Sequence, residues 1–469
     1  MNKILSATIL SSMIMLSSSC DSQLDIVPKG QTTLDRTADI ELLLNQEYDL
    51  GDFPYTDLAQ ICGEGVGMGT SIPEMMSNTN TLAYAYLAYD ENVDRITLAQ
   101  EDARYNAIYK YINYCNTLLA KIDAASGMEE KKPQLKAEAR VMRAYLHWLA
   151  LVIHAAQYDT PEQAANAGGI AYVTDIDNTA VKRKLTLVEC YELILEDCAS
   201  ELIDLLPEKT GDVCRPGKPF GYALRGRVLM QMKRYEEALP WFEKSIALNS
   251  TVDDRVYIKD TESWVLERDG EYNLLQMGAG PLVNPTMEII TRETALKFEK
   301  NDYVLKYCGN TGWDLSFGKM YSGLDGFRMC MSWGAQGNPY GMTSVRTLLS
   351  AAECLIRTGD IRRGLEFTDM VRKAHVENAS PYVRIHDMMP LGELAAMRML
   401  QQTKWIECLG SYENFFDMKR WNTEKDYATT VSKDLDMYGT KTLSPDSPLW
   451  ILPFPAKATR YNPTLTQNF

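Results

Sequence analysis

Residues 219–249 read PFGYALRGRVLMQMKRYEEALPWFEKSIALN, two helical patterns of about fourteen residues with only Lys233-Arg234 between them. Tyr222, Ala223, Gly226, Leu229 and Met230 recur at three- and four-residue steps and make the inner face of the first pattern. Tyr235, Ala238, Leu239, Phe242, Ile246 and Leu248 do the same for the second. The small residues Ala223, Gly226 and Ala238 let the two helices approach closely. A similar unit falls at about 343–377, with Ala351, Ala352, Leu355 and Ile356, a Gly359-Asp360 turn, then Gly364, Leu365, Met370, Val371 and Ala374. A lone helical hairpin cannot bury its apolar face, so two of them predict a stack.

Tyr235-Glu236-Glu237-Ala238-Leu239 resembles the start of the second helix of a tetratricopeptide repeat. The expected fold is mostly α: a tetratricopeptide-like helical repeat superhelix with a large irregular, loop-rich subdomain. Helical parts are expected at about 36–50, 102–249 and 343–377 of a single body spanning 36–469. Within them Ala139, Met142, Leu146, Leu149 and Ile153 trace one helix face, and Pro207 closes a pattern that begins near 186. The period vanishes at about 51–101 and 251–342, and 378–469 forms a C-terminal part. That much irregular chain in an ordered protein predicts function, because loops on a rigid frame display binding groups.

The chain has 469 residues, 45% apolar and 24% charged, which excludes wholesale disorder and a multi-span membrane protein. Sixty-three Asp and Glu against 48 Lys and Arg give a formal charge of -15 and no basic patch, so nucleic-acid binding is not expected and a neutral or cationic ligand is. Met1-Asn2-Lys3 followed by the uncharged apolar run Ile4 to Leu16 reads as an export signal over residues 1–19, too short to span a bilayer. Leu16-Ser17-Ser18-Ser19-Cys20 is similar to a bacterial lipobox, with the Leu one step early. It makes Cys20 the candidate lipidation site and 20–35 a lipidated tether. The other cysteines show no CxxC spacing and sit mostly among helical apolar neighbours, as small hydrophobes; an isolated disulfide stays open.

Tests for chemistry fail in turn. The run Gly63, Gly65, Gly67, Gly69 has Met68 where GxGxxG needs glycine, and Gly211 to Gly217-Lys218 has the wrong spacing for a P-loop. The four histidines, 147, 154, 375 and 386, show no zinc spacing, and there is no GxSxG. Neither an enzyme nor a cofactor is expected. Aromatics remain. Trp148, Trp241, Trp405 and Trp421 lie in helical patterns and read as packing. Trp264, Trp313 and Trp333 lie in the irregular part near Tyr340, while Tyr84, Tyr86 and Tyr89 cluster in Leu82–Asp90. A flat ring stacks on a pyranose while polar neighbours bond its hydroxyls, so the candidate ligand-binding set is Trp313, Trp333, Tyr84, Tyr86, Tyr340 and Trp264, with a neutral glycan as ligand.

Several segments resemble the SusD/RagB family of Bacteroidetes surface lipoproteins. They are Trp450-Ile451-Leu452-Pro453-Phe454-Pro455 with Asn462-Pro463-Thr464-Leu465-Thr466-Gln467-Asn468, Arg143-Ala144-Tyr145, Gly359-Asp360 with Val371-Arg372-Lys373-Ala374, and Asp417-Met418-Lys419-Arg420-Trp421. Glu413-Asn414-Phe415-Phe416 departs from the family's Glu-Gly-x-Arg. The resemblance implies a helical body with four tetratricopeptide-like units and a non-catalytic nutrient-binding lipoprotein, anchored by lipid at the outer-membrane surface. It would pass oligosaccharide or polysaccharide to a SusC-like TonB-dependent transporter. The alternative is a peptide- or protein-binding scaffold, as in RagB-like peptide uptake.

Overall fold

The protein is seen here as a computed structural model that describes residues 34–51, 57–67, 71–278, 288–308, 326–329 and 337–469; Cys20, Trp313 and Trp333 lie outside the described residues. The elements used below are α1 (Asp57–Cys62), β1 (Gly65–Gly67), α2 (Leu82–Ala88), α3 (Ala103–Lys121), α4 (Lys132–His154), α5 (Leu187–Asp197), α6 (Lys218–Gln231), α7 (Tyr235–Leu248), β2 (Glu288–Thr291), β3 (Gly326–Met329), α8 (Ser344–Arg357), α9 (Ile361–His375), α10 (Glu393–Glu407) and α11 (Glu413–Trp421). Helices dominate, as expected.

Both hairpins form. Lys233 turns the chain between α6 and α7 at φ +60°, and Gly359 does so between α8 and α9 at φ +96°. A Cβ on Gly226 would stand 2.9 Å from the Phe242 ring of α7, so only glycine permits that approach. Gly364 serves the second hairpin in the same way, 2.6 Å from Ile356 Cγ1 and 2.8 Å from the Ala352 carbonyl. Leu229, Met230, Ala238 and Phe242 then pack with Ala351 and Cys354 of α8, so one hairpin covers the other. Leu248 and Met370, expected on inner faces, are exposed.

From Val141 to its end every residue of α4 is buried, because neighbours enclose it on all sides. Within that stretch Arg143 is held by Asp197 at 2.6 and 2.8 Å and by Asn116 at 2.9 Å. A buried helix end needs partners for its last carbonyls. The Leu452 amide donates to Ile153 O, the Asn468 amide group donates to His154 O at 2.7 Å, and Lys419 Nζ reaches Val152 O and Ala155 O. The carboxyl-terminal motif is therefore a clamp on the end of the central helix.

The Asp417–Trp421 motif has a second structural task. Glu353 of α8 accepts from Arg420 at 2.6 Å and from the Trp421 indole at 2.8 Å, while Asp417 pairs with Lys404 of α10 at 2.6 Å and Arg227 of α6 at 3.0 Å. These buried charges satisfy one another and bolt the C-terminal part to both hairpins.

Two expectations need correcting. Residues 36–50 carry only Thr37–Glu41 and a single 3-10 turn. Residues 51–101, expected to be irregular, hold α1, α2 and other short helices, too brief to impose a readable period. The eight described cysteines are buried, and Cys62, Cys115, Cys190, Cys198, Cys214, Cys354 and Cys408 form no disulfide among the described residues.

Candidate binding site

The two stretches without periodicity meet. β1 pairs antiparallel with β2, Gly65 opposite Ile290, and β2 pairs with β3, Ile290 opposite Phe327. Gly65 and Gly67 thus lie in an edge strand and Gly63 in the turn before it: Gly63 sits at φ +75°, where a Cβ would come 2.7 Å from Val431 Cγ1, and its carbonyl accepts from the hydroxyls of Thr291 and Thr294. Glu64 is buried beneath, accepting from Asn414 at 2.9 Å and the Gly410 amide at 3.2 Å. Burial pushes its carboxyl up to about 8.

At α1, the helix that leads into β1, lies a cavity of about 410 Å³. α1 contributes Asp57 and Gln60, α2 contributes Leu82, Ala83 and Tyr86, and the segment entering α3 contributes Glu101, Asp102 and Arg104; Met75, Leu452 and Pro453 complete the apolar wall. Local chemistry sets each. Thr81 Oγ1 caps α2 by accepting from the Tyr84 amide at 3.1 Å, and Asp102 caps α3 through the Tyr105 amide at 3.0 Å. Arg104 grips Asp57 bidentately at 2.8 and 3.0 Å and donates to the Tyr412 hydroxyl at 3.2 Å. Burial works against the charge of Asp102, yet Arg104 and the cap amides hold its carboxyl below the usual range. The lining carries three carboxylates and one guanidinium, so it presents acceptors and repels anions. Carboxylate and amide groups beside an apolar wall are what a ring bearing vicinal hydroxyls requires.

Tyr86 lines this cavity and is otherwise buried, its hydroxyl pushed well up by desolvation. Tyr84 lies on the same helix two residues away, roughly 200° around the axis, and is half-buried. Two residues proposed as displayed rings are core residues instead. Trp264 is 8% exposed with the Arg255 guanidinium 4.7 Å from its ring centre, and Tyr340 is 2% exposed against Tyr412. Irregular backbone packs as tightly as helix here, so lack of periodicity did not mean exposure. Tyr89 is likewise buried, donating to the carbonyls of Gln60 and Ile61. Asp57, Gln60, Asp102 and Arg104 were not singled out from sequence; only Asp102 left a signal, an N-cap residue ahead of a helical pattern.

The histidines are structural. His147 accepts from the Val173 amide and contacts Arg143 O, His154 contacts Leu452 O, and burial pushes them down to about 3 and 4. Among the described residues no group of three or more His, Cys, Asp or Glu could hold a metal, and no helix is long and apolar enough to cross a membrane.

A family model for SusD-like proteins, described as starch-binding associating with outer membrane, matches residues 24–230. A solved SusD superfamily protein from Bacteroides thetaiotaomicron superposes with a TM-score of 0.69 at 16% identity, covering 92% of this chain and 100% of that one. A SusD-like carbohydrate binding protein from Bacteroides vulgatus gives 0.65 at 14% identity over 92% and 97% of the two chains. Surface glycan-binding protein A from Bacteroides uniformis gives 0.65 at 16% over 92% and 99%. No curated protein matches the sequence. Over residues 24–230 the sequence is similar to SusD-like proteins, and the fold of the whole described chain is the one those solved structures share.

Proposed function

We propose that the protein captures neutral oligosaccharide at the cell surface without transforming it, and passes it to a SusC-like TonB-dependent transporter while Cys20 anchors it to the outer membrane by lipid. The observation that carries the reading is the acceptor-rich cavity of about 410 Å³ among α1, α2 and the start of α3. The family description and the sugar-binding relatives support the same ligand class. Trp313 and Trp333, outside the described residues, are proposed to add stacking rings to the ligand.

Calorimetric titration against a panel of neutral glycans tests this. Ala83→Trp, at an exposed lining position, fills the cavity without touching the core and is expected to abolish binding with the thermal midpoint unchanged. Trp313→Ala and Trp333→Ala are each expected to weaken it. A glycan that binds Ala83→Trp normally would displace the site elsewhere.

The three carboxylates against one guanidinium also favour a second reading, a cationic peptide as cargo. Lysine-rich peptides competing with the glycan, and binding more tightly than it, would put that reading first.

A further inference from the structure

On the C-terminal part lies a second cavity, about 400 Å³, among α10, α11 and the chain after β2. Its walls are aromatic: Trp405 of α10, Trp421 of α11 and Tyr427, each less than a tenth exposed. Its charged groups are both cations, and its other polar groups are amides, hydroxyls and indoles. Lys297 lays its ammonium 3.3 Å from the centre of the Trp405 ring, and Arg398 donates only to the Asp426 carbonyl and to Gln401. Neither cation pairs with a carboxylate among the described residues, and no residue of the lining is a carboxylate. In a chain of net charge -15 that is an unusual place to leave two cations.

Two further donors are unspent. The indole N–H of Trp405 and the side-chain amide of Asn422 are buried and find no acceptor among the described residues. Trp421 and Tyr427 do not share this want: the first donates to Glu353 at 2.8 Å and the second to Glu393 at 2.6 Å. A native fold rarely buries orphan donors, since each loses its water without gaining an acceptor. Two cations outside any ion pair, on an aromatic lining without a carboxylate, call for an anionic ligand with an apolar ring.

We propose that this cavity is a second binding site, for a small aromatic carboxylate, whose ring lies among Trp405, Trp421 and Tyr427 and whose anionic head meets Lys297 and Arg398. A neutral sugar fits worse, because its hydroxyls also donate and the lining offers no ionised acceptor. The site stands apart from glycan capture and holds whether or not the first cavity binds sugar.

The test uses the full mature chain, with 3-phenylpropionate as probe, read by calorimetry and tryptophan emission. Saturable binding is expected, at least tenfold weaker for the matched neutral amide, 3-phenylpropionamide, and for glucuronate. Arg398→Ala, at an exposed position, is expected to weaken the acid at least tenfold with the thermal midpoint unchanged, and Trp405→Phe to weaken it severalfold; Ala83→Trp leaves it alone. Equal binding of acid and amide, no saturable binding of the acid, or undiminished affinity in Arg398→Ala overturns the proposal. Tighter binding of glucuronate than of 3-phenylpropionate overturns the ligand class.

Discussion

The two cavities are nearly equal in size, about 410 and 400 Å³, and opposite in chemistry. One is lined by three carboxylates and a single guanidinium already locked to Asp57; the other by two cations, three aromatic rings and no carboxylate. Volume therefore says little about cargo in this fold. Ligand class follows from which polar groups the scaffold has already satisfied, and the scaffold differs at the two places. Behind the first cavity the supporting bonds are helix caps and one surface-reaching ion pair. Behind the second stands the buried network of Glu353, Asp417, Arg420 and Lys404, which takes up the Trp421 indole but leaves that of Trp405 unmatched.

The contrast breaks hardest at that network. Glu353→Gln keeps shape and removes one of the two anions that neutralise Arg420 and Lys404, all of them buried. Stranding a buried cation costs about 3–5 kcal/mol, so a large fall in the thermal midpoint is expected, with loss of the aromatic cavity. Neighbouring groups hold the Glu353 carboxyl down to about 2 against desolvation. Its stabilising charge is therefore present above the ordinary carboxylate range and lost only as pH falls through about 2, so the wild type should keep its advantage over the variant at pH 4. Equal midpoints at neutral pH would show that the network is not what supports the second cavity.

A smaller effect sharpens the first cavity. Gln60 is 7% exposed and lines the pocket, while its backbone carbonyl, which serves Tyr89 and Lys433, is untouched by truncation. Gln60→Ala is expected to weaken a neutral glycan about tenfold, the worth of one or two net hydrogen bonds, and to leave 3-phenylpropionate binding unchanged. Calorimetry on both ligands checks it. A parallel loss for both would mean that the cavities are coupled.

What could be read from sequence divides along the same lines. The hairpins were legible because a helix repeats every 3.6 residues and because Gly226 and Gly364 mark close approach. The terminal and Asp417–Trp421 motifs were legible as scaffold, and the clamp on α4 and the ion network give that role its physical content. The sites were not legible. Strands of three or four residues and a seven-residue helix such as α2 are too short for a period, so Tyr84 and Tyr86 looked like displayed rings when one helix separates them. Trp264 and Tyr340 looked exposed for want of a pattern and proved buried. Trp405 was rightly placed in packing, yet its unmatched N–H shows only when every donor is traced in space.

The mildest test is pH, and it separates the cavities by charge alone. Burial pushes the Lys297 ammonium down to about 8, with Glu64 pulling the other way, while burial raises the Glu64 carboxyl to about 8. The two lie in one neighbourhood, with Glu64 and Glu293 both acting on Lys297, so the protons that leave near pH 8 belong to the pair. Each loss makes the surroundings of the aromatic cavity more negative, so the net charge there falls as pH rises from 7 to 9. Affinity for 3-phenylpropionate should fall severalfold across that window, whereas a neutral glycan at the first cavity should bind equally throughout. Glu64→Gln removes one partner of the pair and should shift the midpoint of the carboxylate profile; an unshifted midpoint would assign the titration to another group and detach Lys297 from recognition.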